Sequence, residues 1–80
     1  MVTSSLTEAP SDVILLVKGM NSGSEAKRKL YSLGIHVSDK IKKINGAKWG
    51  PVLVAINSSD TSKVALGRGL AEKIIVEYEQ

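Results

Sequence analysis

Eighty residues with 42% hydrophobic content, no phenylalanine and a formal charge of +3 predict one small domain with a core of Val, Ile, Leu and Ala. The absence of cysteine excludes disulfide staples, thiolate metal sites and cysteine nucleophiles together. With a pI near 9.3 the surface suits phosphates or acidic protein faces, but its field is weak beside that of dedicated nucleic-acid-binding chains.

Residues 1–11 read as a polar lead-in, with Leu6 and Ala9 as anchors and Pro10 interrupting any helix. The first ten residues hold no basic residue and no apolar run, which is not the makeup of a secretory signal and points to the cytoplasm. The longest apolar run, Val13 to Val17, is far short of the roughly 20 residues that span a bilayer, so no direct membrane insertion is expected. Val13–Lys18 is a continuous apolar strand, expected to be buried on both faces or nearly so.

A helix follows. Ser22 stands three residues before Glu25, the spacing of a capping box. Ala26, Leu30 and Leu33 recur on one face, and Glu25 can pair with Lys29 one turn on. Gly34 can take the left-handed conformation that ends a helix, placing Ile35 to fold back on Leu30 in a Schellman cap.

Val37–Asn45 has strand-like residues, but Ile41 and Ile44 differ in parity, which calls for a bulge or an apolar side chain at an edge. Gly46–Pro51 is a loop, and Val52–Ile56 is the second clear strand. Asn57–Thr61 should join it to Ser62–Leu66 as a hairpin. Gly67–Lys73 is too short for more than one helical turn, and Ile74–Glu77 closes as a final strand. Five strands and one helix suit a small, strongly bent antiparallel sheet or barrel.

Catalysis needs a nucleophile with an adjacent base, or carboxylates of split pKa, and neither pattern is visible. Asp12, Asp39, Asp60 and Glu72 are scattered among turns and caps, and Gly67-Arg68-Gly69 lacks the context of a phosphate loop. His36 beside Asp39 is the only place to look for a metal, and two ligands fall short of the three or four such sites use. Lys27, Arg28, Lys29, Lys40, Lys42 and Lys43 flank the Gly34 corner, either as a solvated face or as a docking patch for an acidic partner. Nucleic-acid binding is not favoured, because Tyr31, Trp49 and Tyr78 are few and widely spaced for base stacking. Trp49, in a loop bounded by Gly and Pro, is either a lid on the barrel end or an interface anchor.

The run Arg28-Lys29-Leu30-Tyr31-Ser32-Leu33-Gly34-Ile35, the Trp49-Gly50-Pro51-Val52 loop, the stretch Ala65 to Val76 and the lead-in Leu6 to Pro10 together resemble the FeoA family of bacterial ferrous-iron uptake. The chain departs from the family where Val37 and Ser38 replace a usual Pro and Gly, and where Lys42 and Lys43 disturb an alternating strand. The resemblance implies a mainly β, SH3-like barrel of about five strands, with one short α-helix between the first and second, as one domain over residues 1–80. It further implies a non-enzymatic cytoplasmic accessory protein, held at the inner face of the membrane by contact with a FeoB-type ferrous iron permease. Arg28, Tyr31, Gly34, Lys48 and Trp49 are the expected contact residues. Two alternatives stay open. One is an SH3-like regulatory or nucleic-acid-binding module, since the same domain type ends some iron-dependent repressors. The other is a transition-metal binder at His36 and Asp39, with no resident cofactor beyond a weak Fe2+ association.

Overall fold

Apolar side chains at alternate positions decide which face of the sheet turns inward. Leu15, Val17, Ile41, Val52, Val54, Leu66, Ile74 and Val76 are each no more than 2% exposed. Cross-strand register makes them one layer: Leu15 lies opposite Ile41, Val52 opposite Leu66, and Val17 opposite Val76. The computed structural model describes residues 1–21, 24–44, 50–56 and 63–79. Along the chain these form β1 (Val2–Ser5), β2 (Ile14–Met20), α1 (Ser24–Ser32), β3 (Lys40–Lys43), β4 (Val52–Ile56), β5 (Lys63–Leu66), α2 (Arg68–Lys73) and β6 (Ile74–Tyr78). The strands make one antiparallel sheet in the order β1-β6-β2-β3-β4-β5, and no ladder joins β1 to β5 among the described residues.

Six strands stand where the sequence suggests about five. The additional one is β1, inside the polar lead-in, which pairs with β6 from Val2 opposite Tyr78 to Ser5 opposite Ile75. An edge strand with one solvated side needs little apolar content, so its polarity concealed it. Leu6 and Ala9 do anchor the lead-in. Both are buried in the core, in a turn where the Glu8 and Ala9 N–H groups donate to Ser5 O at 3.1 Å.

Strand β2 is buried on one face, not two. Ile14 is 45% exposed and Lys18 is exposed, while Leu15 and Val17 are fully covered. The register of β2 against β6 slips between Val17 and Gly19, a bulge that bends the ladder. The segment after β5 exceeds the expected single turn: α2 has six residues, starts with Ala71 N–H donating to Gly67 O at 2.9 Å, and buries Ala71. The strand expected over Val37–Asn45 is shorter, Lys40–Lys43, because a turn occupies Val37 and Ser38. The parity conflict there resolves with Ile41 and Lys43 inward and Ile44 half-buried just past the strand end.

The helix ends as its sequence requires. Gly34 has φ +90°, its N–H donates to Tyr31 O at 3.0 Å, and the Ile35 N–H reaches Leu30 O at 3.2 Å. These are the two hydrogen bonds of a Schellman motif, with Ile35 and Leu30 buried together as its apolar contact. Ser22, Lys48, Trp49 and the 57–61 turn lie outside the described residues.

Candidate functional site

The Gly34 stop turns the chain sharply, leaving Arg28 and Tyr31 exposed on α1 and returning residues 36–39 beside them. The His36 ring stacks on Tyr31 with centroids 4.9 Å apart and planes at 26°. Asp39 Oδ2 accepts the His36 backbone N–H at 2.9 Å and lies 3.5 Å from His36 Nδ1. Among the described residues no third His, Asp or Glu joins this pair to make a metal-binding group. The carboxylate's first task is to close the turn.

That turn carries strain. His36 O accepts the Asp39 N–H at 3.0 Å, and Ser38, third of the four residues, has φ +78°. Val37 is not in the left-handed region, so the turn is type II, a geometry that favours Pro second and Gly third. Val37 and Ser38 adopt it anyway because flanking ladder bonds hold them: Ser38 N–H donates to Val17 O at 2.7 Å and Val17 N–H to Asp39 O at 2.9 Å. Ser38→Gly should relieve the left-handed strain and raise stability by up to about 1 kcal/mol. A thermal melt shifted upward by several degrees is the expected reading, and a fall would mean that the Ser38 side chain contributes more than its backbone loses.

Four of the six basic residues around the corner stand in three different surroundings. Arg28 and Lys29 face an open groove between α1 and α2. Lys40 lies on the outer face of the sheet with Ile14, Leu16 and Glu77. Lys43 turns into the protein, 6% exposed, opposite Val54. Its Nζ donates to Thr7 O and Ala9 O, each at 3.0 Å, and its own carbonyl accepts the Asp12 N–H at 2.8 Å. Burial, reinforced by the nearby Arg68 guanidinium, pushes the Lys43 pKa below the ordinary lysine value. Lys43 is therefore a tether for the lead-in turn and is withdrawn from any surface patch. The alternation Ile41-x-Lys43 was the signal for it, since the two share a strand face. Glu25 and Lys29 both line the groove, but no ion pair joins them.

Residues 4–78 match the family model described as the FeoA domain. The chain belongs to the FeoA domain family. A relative from Methanocaldococcus jannaschii, described as a candidate Fe(2+) transport protein A, is 41% identical over 63 residues, covering 79% of this chain and 72% of its own. Among solved structures, an iron uptake regulatory protein (FeoA) superposes with a TM-score of 0.83 at 23% identity, covering 99% of this chain and 100% of that one. A manganese-dependent transcriptional repressor superposes over 96% of this chain but 42% of its own, with a TM-score of 0.81 and 22% identity. The two structural likenesses show the fold: the six-stranded sheet is the SH3-like arrangement of FeoA proteins, and it recurs as part of longer chains.

Proposed function

We propose that this FeoA-family chain is a non-enzymatic accessory of ferrous-iron transport, acting in the cytoplasm by protein contact with a FeoB-type permease. The family match over residues 4–78 carries the reading, supported by a relative described as a candidate Fe(2+) transport protein. No helix among the described residues is long and apolar enough to cross a membrane, and in this reading the crossing belongs to the permease. The exposed side of α1 and the Gly34 corner supply the contact surface, with iron passing as cargo and not as a resident cofactor.

The test is capture of the detergent-solubilised permease by this chain immobilised through its C-terminus. Retention at low salt that declines as ionic strength rises is expected, because basic side chains on a solvated face are screened. No retention at low salt overturns the reading. Trp49→Ala should leave the thermal melt unchanged and weaken capture by about tenfold or more, as loss of an aromatic anchor does.

A further inference from the structure

The open groove between α1 and α2 has a volume of about 960 Å³. Arg28 and Lys29 stand on the α1 side and Lys73 on the α2 side, while Ala26, Gly69 and Leu70 give it small and apolar surface. Three cations face one carboxylate, Glu25, and none of the three is ion-paired with a described residue. All three are exposed, two on α1 and one on α2, so positive charge lines both walls of the groove. An occupant that satisfies both walls must carry several negative charges spread along an apolar body.

Gly69 keeps the α2 wall of the groove bare. It is exposed within α2, has an ordinary backbone conformation, and a Cβ built on it meets nothing within 4 Å. Glycine inside a helix is unfavourable, so the fold gains nothing from the missing side chain, while the groove gains space.

We propose that this groove receives an acidic peptide segment of the partner protein, its carboxylates paired with Arg28, Lys29 and Lys73 and its apolar side chains seated against Ala26, Gly69 and Leu70; this rests on the protein-contact reading above. Binding is steered by charge and fixed by apolar contact, so it weakens with salt and fails when the groove is filled.

The experiment titrates the 15N-labelled chain with a short synthetic peptide of alternating glutamate and leucine, with its glutamine counterpart and inorganic phosphate as separate arms. Amide shifts confined to Glu25–Ser32 and Gly69–Lys73, seen with the glutamate peptide and at least about tenfold weaker with glutamine, are expected. Gly69→Leu should raise Kd about tenfold or more while the thermal melt holds or rises, since leucine is the better helix former. The double variant Arg28→Glu, Lys73→Glu supplies the same test without filling the groove. Shifts elsewhere, an unchanged Kd in either folded variant, or phosphate producing the same shifts at similar affinity overturns the proposal. If the wild type and Gly69→Leu capture the permease equally, the groove is wrong and the permease reading stands. A wild type that captures none overturns the permease reading, and the peptide titration alone then decides the groove.

Discussion

Lys43→Met should lower the stability of this chain by about 2–4 kcal/mol, although it deletes a buried charge and keeps the length of the side chain. Two effects oppose each other. Removing the ammonium relieves the cost of holding a cation in a site only 6% exposed. Against that, the carbonyls of Thr7 and Ala9 each lose a charge-assisted donor at 3.0 Å, and main-chain carbonyls cannot be substituted away with it. A charge-assisted hydrogen bond contributes about 1.5–3 kcal/mol net, so two lost together outweigh the relief. The damage should be local as well as global, because the turn that carries Leu6 and Ala9 into the core is what Lys43 holds. Faster amide exchange in β1 and in the turn after it is the accompanying sign. The pH dependence follows from the lowered pKa. Between the folded value and the ordinary lysine value the unfolded chain binds more protons, so stability rises with pH across that window, and below it the burial penalty is fully present. Lys43→Met should flatten that alkaline rise. A urea midpoint within experimental error of the wild type would show that water replaces the ammonium at both carbonyls.

Local devices were legible in the sequence, and long-range ones were not. The Leu30–Gly34–Ile35 cap needs only neighbours within one turn, and its hydrogen bonds are those that the residue order demands. The apolar strand Val52–Ile56 announced itself by composition and keeps the same bounds in the structure. Strand β1 did not, because its place is set by β6, seventy or more residues away in each pairing, and not by its own Thr and Ser side chains. The buried role of Lys43 likewise depends on acceptors at Thr7 and Ala9, which only the folded sheet brings into reach. Among the expected contact residues, Arg28 and Tyr31 are exposed beside the Gly34 corner, while Lys48 and Trp49 lie outside the described residues. The groove is not legible in the sequence because Gly67–Lys73 reads as a single turn, and three of the eight residues lining it, Gly69, Leu70 and Lys73, come from α2.

Leu30→Ala should destabilise the chain by about 3 kcal/mol and detach the helix along with the groove it forms. Among the described side chains of α1 only Leu30 is fully buried, with Ala26 half-covered, so one residue carries most of the helix's attachment to the sheet. Its carbonyl also accepts the Ile35 N–H, and its side chain meets Ile35 in the cap contact, so truncation weakens the packing and the stop signal at once. A helix of nine residues does not hold itself together in water, which means that α1 persists only while that attachment does. The urea midpoint should therefore fall, and the amides of Glu25–Ser32 should exchange by a local opening of lower free energy than those of β2 and β6. Peptide binding in the groove should disappear with the helix, in contrast to Gly69→Leu, where binding weakens about tenfold or more and α1 keeps its protection. If Leu30→Ala leaves α1 protected and the midpoint unmoved, the half-buried Ala26 and Leu33 hold the helix between them, and the attachment is spread along the face instead of concentrated at one side chain.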